Sequence, residues 1–171
     1  MSARRLVLLR HAKAEPGNVA TADELRPLAV RGRTQAGDVG RALGTARLVP
    51  DLALVSMAVR TRQTWELLAR QLDGKSATEL HLEPELYEAS VADVLTMVRG
   101  VEDDVRTLLV VGHEPTMAAT AAHLAGPGSD LGALAQVRVG VPTATYSVLE
   151  SEDHWYAWGR ARARLLTVTR P

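Results

Sequence analysis

The sequence predicts a three-layer α/β fold in which helices cover both faces of a mostly parallel sheet. Short apolar runs that suit buried strands alternate with segments whose apolar residues recur at helical spacing. The order reads β-α-β-α-β-α-β-α, followed by two further strands, and this alternation is typical of an α/β sheet. The 171 residues fit one domain and include no linker or repeat that would divide them. We therefore expect a single domain over residues 1–171.

Three apolar runs are the strongest strand candidates, at residues 6–9, 52–55 and 107–111. A continuous apolar run is typical of a parallel strand that is buried on both faces. Histidines follow the first and the last of these three strands, and both histidines must reach one site. We therefore expect these two strands to be adjacent and parallel. Weaker patterns predict a strand at residues 78–82 and a C-terminal hairpin formed by residues 145–149 and 154–158.

Four helices are predicted between these strands. Pro27 precedes the first helix, Asp73-Gly74 is a stop signal at the end of the second helix, and Ser90 is a suitable N-cap for the third helix. The predicted helices cover residues 28–43, 59–72, 91–99 and 115–124. The stretch from residue 126 to residue 140 has the least regular pattern, and we expect it to be a surface loop.

The composition excludes several classes of protein. Lys+Arg and Asp+Glu both number 20, so the net charge of +0 lacks the basic excess that nucleic-acid binding usually needs. The sequence has no cysteine, which excludes disulfides and thiolate chemistry. It has no apolar run of the roughly 18 residues that a membrane span requires, and no signal-peptide pattern. We expect a cytoplasmic protein with no nucleic-acid or membrane partner.

The ends of the predicted strands carry the residues that point to function. Arg10-His11 ends the predicted strand at residues 6–9, and Gly112-His113 ends the one at residues 107–111. Arg60 lies in the first turn of the helix that follows the strand at residues 52–55. Ligands of an open α/β sheet bind beyond the carboxyl ends of its strands. Adjacent strands are about 4.8 Å apart, so His11 and His113 can face each other across one phosphoryl group.

Arginine beside histidine favours an anion over a metal ion. Two guanidinium groups would repel a divalent cation, whereas they form charge-assisted and often bidentate hydrogen bonds with a phosphate. Glu114 is next to His113, but its side chain should point elsewhere. The helices that follow Ser56 and Pro115 add backbone N–H donors at their first turns. The sequence therefore predicts an oxyanion site without metal or cofactor.

Four segments, in the right order and over nearly the whole chain, resemble the motifs of the histidine phosphatase superfamily, and a fifth, shorter one resembles a subgroup of it. Its Arg-His-Gly signature is similar to Leu-Leu-Arg-His-Ala at residues 8–12, with Ala12 in place of glycine. Its second-histidine motif resembles Val-Gly-His-Glu-Pro at residues 111–115, and its Ser-x-x-x-Arg-x-x-x-Thr segment resembles residues 56–64. Arg-Pro-Leu-Ala-Val-Arg-Gly at residues 26–32 and Val-Pro-Thr at residues 141–143 resemble the small, SixA-like subgroup.

The resemblance implies a role for each matching residue. His11 would be the nucleophile that forms a phosphohistidine, and a hydrogen bond to its other ring nitrogen should fix the tautomer. Arg10, Arg60 and His113 would hold the phosphoryl oxygens. Arg26 would add a contact to the phosphate or the substrate.

The proton donor for the leaving group is less defined. Leu-Tyr-Glu at residues 86–88 resembles the stretch that carries the family's acid, so Glu88 is the candidate and Glu85 its rival. Carboxylates in a loop of this kind are commonly just solvated, and SixA-like enzymes can act without an acid because a phosphoramidate leaves more easily than an alkoxide.

Three functions follow from this resemblance. The first is a metal-independent phosphatase for phosphorylated protein histidine. The second is a phosphatase, or less plausibly a mutase, for a small phosphate ester. The third is a non-catalytic binder of a phosphorylated ligand. Residues 76–106 leave little room for an insertion that would cap a small substrate, which favours the first function.

Overall fold

A six-stranded sheet forms the centre of the part that is described, residues 2–72 and 77–171 of a computed structural model. In chain order the strands are β1 (Arg4–Arg10), β2 (Leu52–Ser56), β3 (Glu79–Glu83), β4 (Thr107–Gly112), β5 (Tyr146–Ser151) and β6 (Arg164–Thr169). In space the order is β3-β2-β4-β1-β5-β6. Strands β1 to β4 are parallel, β5 is antiparallel to β1, and β6 is antiparallel to β5. The prediction of a mostly parallel sheet is confirmed.

Helices cover both faces of the sheet, as predicted. They are α1 (Val30–Thr45), α2 (Val59–Ala69), α3 (Val91–Arg99), α4 (Thr116–Leu124) and α5 (Leu131–Val139). Side chains of a strand point alternately to its two faces. Leu6 and Leu8 of β1 accordingly pack with α3, α4 and α5, whereas Val7 and Leu9 pack with α1 and α2. Burial on both faces explains why β1 is apolar at every central position.

The topology places three strand ends at one edge of the sheet. β4 lies between β1 and β2, and the register sets Arg10 opposite Gly112. The predicted adjacency of the first strand and the histidine-ending fourth strand is therefore confirmed. The carboxyl ends of β1, β4 and β2 form the crevice where ligands of open α/β sheets bind.

Several predicted element ends move by a few residues. α1 begins at Val30 instead of residue 28, because the Leu28 amide donates to Gln63 Oε1 (2.8 Å) and Leu28 bridges to Ala14. α2 ends at Ala69, before residue 72. The predicted stop signal at residues 73–74 lies outside the described residues. Ser90 caps α3 as predicted, since its Oγ accepts from the Asp93 amide.

The predicted surface loop at residues 126–140 is wrong, because Leu131–Val139 forms helix α5. Asp130 caps this helix by accepting a hydrogen bond from the Ala133 amide at 2.8 Å. Only Ala133 and Val137 of the helix are buried, so its sequence shows no clear apolar stripe. Tertiary contacts with α4 and β6 therefore support a helix that local periodicity does not reveal.

The second strand of the predicted hairpin is also misplaced. Residues 154–158 contain a 3-10 turn at Trp155–Ala157, and the final strand is Arg164–Thr169. Trp155 and Trp158 are fully buried with ring centroids 4.8 Å apart. Their indole N–H groups donate to the carbonyls of Val105 and Asp153. The turn allows both indoles to be buried with hydrogen-bond partners, and this burial is more favourable than the strand that the alternating pattern predicted.

In the two described ranges, no helix has both the length and the apolar character needed to cross a membrane.

Candidate active site

His11 and His113 face each other at the carboxyl end of the sheet. His11 directly follows β1 and His113 directly follows β4, and the His11 amide donates to the Gly112 carbonyl at 3.1 Å. Their ring centroids are 5.4 Å apart. The sequence prediction that the two rings share one phosphate-sized site is consistent with this geometry.

The ring of His11 is held in one tautomer. Its Nδ1 lies 2.7 Å from the carbonyl oxygen of Ala12, which can only accept, so Nδ1 carries the proton. Nε2 keeps its lone pair and has no hydrogen-bond partner within the described residues. Burial lowers the pKa of His11 to about 4, and the nearby Arg60 and Arg10 cations act in the same direction. The imidazole is therefore neutral at pH 7, as a nucleophile must be.

The loop after His11 is fixed from two helices. The Ala12 amide donates to Thr64 Oγ1 of α2 at 3.0 Å, and the Lys13 amide donates to Gln35 Oε1 of α1 at 2.9 Å. α1 approaches this loop closely at Gly32, where a Cβ would lie 2.0 Å from the Lys13 carbonyl oxygen. The threonine and glycine of the sequence motifs thus position the carbonyl that orients His11.

The ring of His113 is held by Ser56 at the end of β2. Its Nε2 lies 2.8 Å from Ser56 Oγ, while Nδ1 is 3.4 Å from Nη2 of Arg60. Because a guanidinium group can only donate, Nδ1 accepts from Arg60, and Nε2 carries the proton and donates it to Ser56 Oγ. Burial lowers the pKa of His113 to about 3, with smaller contributions from His11 and Arg60. His113 is thus neutral at pH 7, and its single N–H is directed to Ser56 Oγ.

Two arginines flank the histidines. Arg60, in the first turn of α2, is only 5% exposed and donates to the carbonyl oxygen (2.8 Å) and to Oδ2 (3.0 Å) of Asp23. Arg10, the last residue of β1, donates from Nη1 to the Val141 carbonyl at 2.8 Å. The Nε atoms of both arginines are buried without a hydrogen-bond partner among the described residues. Both guanidinium groups thus keep donors that are not used within the protein.

Asp23 is a site residue that the sequence analysis missed. It lies in a 3-10 turn at Asp23–Leu25, and its carboxylate accepts hydrogen bonds from Arg26, Arg60 and Tyr87. These contacts hold the pKa of Asp23 well below its ordinary value, with the Tyr87 hydroxyl as the main cause. Arg26 also donates to the Glu15 carbonyl at 2.7 Å. Arg26 is thereby held beside Arg60 through a carboxylate that no motif indicated, and its contact to a phosphate or substrate stays a prediction.

Tyr87 is the second residue that was missed. Its ring meets that of His113 edge-on, with centroids 5.4 Å apart, and the Cζ of Arg60 lies 5.8 Å from its centroid. The phenol therefore forms one wall of the site between the arginine and the histidine. The only sequence signal for Tyr87 is its place in the Leu-Tyr-Glu stretch, in which Glu88 was the predicted site residue.

The structure does not bring the predicted acids into contact with the histidines. Glu88 and its rival Glu85 are both exposed, and neither makes a hydrogen bond within the described residues. Glu114 points elsewhere, as expected, since its oxygens accept from the amides of Ala118 (2.9 Å) and Val141 (3.2 Å). The catalytic role of Glu88 stays a prediction.

The charge balance of the site suits an anion. Arg10, Arg26 and Arg60 contribute three positive charges, whereas Asp23 is the carboxylate that contacts two of them. Within residues 2–72 and 77–171, no three His, Cys, Asp or Glu side chains are grouped as metal ligands would be. The arrangement offers a neutral imidazole nitrogen surrounded by cationic donors, which is what attack on a phosphorus atom requires.

Comparisons with known proteins agree with this geometry. A family model described as histidine phosphatase superfamily (branch 1) matches residues 6–99. A protein of Mycobacterium tuberculosis, itself described as uncharacterized, is 40% identical over 149 residues, which are 86% of this chain and 89% of that relative.

Two solved structures named as phosphohistidine phosphatase SixA are similar throughout. The one from Nakamurella multipartitia is 33% identical with a TM-score of 0.85 and covers 100% of this chain and 98% of its own. The one from Agrobacterium tumefaciens is 30% identical with a TM-score of 0.81 and covers 98% of both chains. The chain therefore belongs to branch 1 of the histidine phosphatase superfamily, among its SixA-like phosphatases.

Proposed function

We propose that this phosphatase removes the phosphoryl group from phosphorylated histidine on a protein, without a metal ion and through a phosphorylated His11. The observation that carries the proposal is the state of His11: its Nδ1–H is tied to the Ala12 carbonyl, and its Nε2 is unpaired and neutral beside the cations. An imidazole prepared in this way is a nucleophile for phosphorus.

The surroundings of His11 suit a bound phosphoryl group. The guanidinium groups of Arg60 and Arg10 lie close enough to His11 to lower its pKa, so their Nη donors can turn to the non-bridging oxygens. His113 can join them when its N–H turns from Ser56 to the bound group. Helices α2 and α4 begin next to the site and direct their N-terminal partial positive charge towards it. In a phosphoryl-transfer transition state the charge spreads over these same oxygens, so the donors lower the barrier as well as binding the substrate.

The reaction then consists of two displacements at phosphorus. Nε2 of His11 attacks, its bond to phosphorus forms, and the bond from phosphorus to the substrate's imidazole nitrogen breaks. The leaving imidazole departs neutral when its ring is protonated on the far nitrogen before attack. Water next attacks the phosphorus of phosphorylated His11, inorganic phosphate leaves after losing a proton to solvent, and neutral His11 is restored.

A phosphohistidine substrate also fits the lack of a bound acid. An alkyl phosphate needs a proton on its leaving oxygen, which a positioned acid supplies at a typical gain of 10²–10⁴-fold. Glu88 and Glu85 are exposed and do not reach the histidines through a hydrogen bond in the described residues. A phosphohistidine, whose ring can carry a proton on its far nitrogen before attack, leaves as a neutral imidazole and is less dependent on such a group.

The openness of the site favours a substrate carried by a protein. Between β3 and β4 the described residues form only a 3-10 turn (Pro84–Leu86) and helix α3, and α3 packs its apolar face into the core. Only Tyr87 of this described segment contacts His113, as a side wall, and α3 turns into the core instead of covering the histidines. A histidine on the surface of another protein can reach such a site.

The test is a substrate panel with and without excess chelator. It compares a phosphohistidine-containing protein, para-nitrophenyl phosphate and sugar phosphates, and it traps the phosphoenzyme by rapid acid-free quenching. We expect turnover in EDTA, the highest kcat/KM on phosphohistidine, and label on His11. Loss of activity in EDTA that a divalent metal restores would overturn the metal-independent mechanism.

The other candidate functions predict different results in the same panel. A phosphatase of small metabolites would prefer one sugar phosphate over phosphohistidine. A non-catalytic binder would retain the phosphorylated ligand without releasing inorganic phosphate.

A further inference from the structure

A groove beside the candidate active site is not used by the proposed chemistry. It has a volume of about 570 Å³, within the range of sites that hold ligands, and it runs between α4, α5 and the chain around Arg160. Its apolar lining comes from α4 and α5, and Val139 at its rim is 91% exposed. A groove of this size and lining can accept an extended stretch of polypeptide.

The groove adjoins the phosphate site at one end. Glu114, which lines it, is the residue after His113. Gly140 also lines it, and the next residue, Val141, accepts the hydrogen bond from Arg10. A chain that places a phosphorylated residue against His11 can therefore continue directly into this groove.

The charges of the groove are unbalanced. Arg138 and Arg160 line it, both are exposed, and neither has an ion-pair or hydrogen-bond partner among the described residues. Its carboxylate, Glu114, is occupied by the amides of Ala118 and Val141. His123 is the remaining titratable side chain of the lining. Glu114 keeps its negative charge while it accepts these hydrogen bonds, so the two arginines exceed the carboxylates of the lining by one charge. This positive excess complements a negatively charged occupant.

We propose that this groove binds the polypeptide that flanks the phosphorylated histidine, and that it selects flanks rich in Asp and Glu. This inference rests on the proposed function for the presence of phosphohistidine, but the groove itself makes a separate contribution to affinity. Because Arg138 and Arg160 do not contact the reacting atoms, they should affect KM more than kcat.

Three peptides of equal length test the proposal, each with one central histidine phosphorylated by phosphoramidate and with acidic, neutral or basic flanks. We expect the acidic peptide to have the highest kcat/KM. The double variant Arg138→Glu/Arg160→Glu should lower kcat/KM for this peptide about 10-fold through KM, as expected for reversal of two exposed charges. Hydrolysis of para-nitrophenyl phosphate should not change.

The matched control is Arg47→Glu/Arg70→Glu, which makes the same change in net charge at exposed positions just beyond α1 and α2. It should leave the preference for acidic flanks intact, which separates groove binding from long-range attraction. Equal kcat/KM for the three peptides, a preference for basic flanks, or an equal loss in the control variant would overturn the proposal.

Failure of the proposed function gives a different pattern. If para-nitrophenyl phosphate is hydrolysed while all three phosphohistidine peptides are inert, the substrate assignment is wrong. Fluorescence anisotropy then measures binding of the unphosphorylated acidic peptide, which tests the groove independently of the substrate assignment. Binding that Arg138→Glu/Arg160→Glu weakens and the control does not would support the groove, and binding that is absent or insensitive to the variant would refute it.

Discussion

Each end of the sheet carries a cluster of arginine, histidine and aspartate. At the amino end, Arg4 opens β1, donates from Nη2 to Asp103 at 2.9 Å, and lies 3.1 Å from Nδ1 of His154. Nδ1 of His154 is also 2.7 Å from Asp103. At the carboxyl end of the same strand, Arg10 precedes His11, and Asp23 serves both Arg60 and Arg26.

The two clusters differ in charge balance and in the state of their histidines. An unpaired, buried Nε is common to Arg4, Arg10 and Arg60, so it does not distinguish the two ends. At the amino end Arg4 meets Asp103, whereas at the carboxyl end three arginines face two carboxylates: Asp23 pairs with Arg26 and Arg60, and Glu114 lies near Arg10. The side chain of His154 is 42% exposed, but His11 is buried and its pKa is lowered to about 4. Residue types alone therefore do not define a site; excess positive charge and a desolvated imidazole do.

The largest expected difference between the two ends is in the histidines. His11→Ala removes the nucleophile and should lower turnover on the order of 10⁴-fold or more, with no trapped phosphoenzyme. His154→Ala should leave turnover within about 2-fold, because its contacts lie at the far end of β1. The measurement is steady-state hydrolysis of para-nitrophenyl phosphate together with phosphoenzyme trapping. Residual phosphoenzyme in His11→Ala would disprove its assigned role.

Next in size is the contrast between the arginines. Arg60→Ala removes donors from the phosphoryl group and should lower kcat about 10²–10³-fold. Arg4→Ala removes charge-assisted hydrogen bonds and should cost about 1–3 kcal/mol of unfolding free energy while leaving kcat unchanged. Denaturant unfolding and kinetics on the same samples check both. A large loss of kcat in a folded Arg4→Ala protein would contradict the division between the two ends.

The titration of His11 provides a third test. Its folded pKa lies below the ordinary 6.5, so the neutral form persists as the pH falls and half of the His11 rings are protonated only near pH 4. ¹⁵N NMR of the free protein should show this midpoint. In Arg60→Ala the midpoint should move upward, because one of the cations that lower it is gone. A midpoint near 6.5 would show that His11 is not desolvated.

A smaller effect is expected at Asp23. Its carboxylate competes with a bound anion for Arg60 and Arg26. Asp23→Asn should therefore tighten inhibition by inorganic phosphate roughly 5-fold, which corresponds to about 1 kcal/mol. Tyr87→Phe keeps the ring but removes the hydroxyl that contacts Asp23, so its inhibition constant should shift less. Unchanged inhibition in both variants would mean that Asp23 does not compete with the anion.

Glu88→Gln should have the smallest effect. On a phosphohistidine peptide we expect a change within about 2-fold, because that leaving group needs little help from an acid. The matched substrate is an alkyl phosphate, on which a positioned acid contributes about 10²–10⁴-fold. A selective loss on the alkyl phosphate would identify Glu88 as the proton donor, whereas an equal large loss on both would indicate a structural or substrate-binding role.

The sequence predicted the centre of the sheet and the residues at its strand ends. Leu6 to Leu9 and the other buried runs left few alternatives to parallel strands, and parallel strands bring their carboxyl ends together. The spacing from Ser56 to Arg60 placed the arginine in the first turn of a helix, where the structure has it. Local pattern and topology were sufficient for these features.

The missed features depend on contacts between distant parts of the chain. Asp23 and Tyr87 are 64 residues apart and meet only after folding, so no local spacing indicated them. Helix α5 has just Ala133 and Val137 buried, and its pattern gave no helical stripe. The last strand was displaced because the alternation at residues 154–158 reflects two tryptophans in the core. In each case a tertiary contact prevails over a local preference.

Gly32 has a consequence for how this site can change in evolution. Non-bonded carbon atoms normally stay about 3.5 Å or more apart, yet a methyl group at position 32 would lie 2.0 Å from the Lys13 carbonyl oxygen. Any side chain at residue 32 would separate α1 from the loop after His11 by well over an ångström, so one of the two would have to move. The position of α1 and the position of the loop after His11 therefore both depend on the absence of a Cβ atom at residue 32. A lineage could therefore exchange Gly32 only by rebuilding the catalytic loop at the same time.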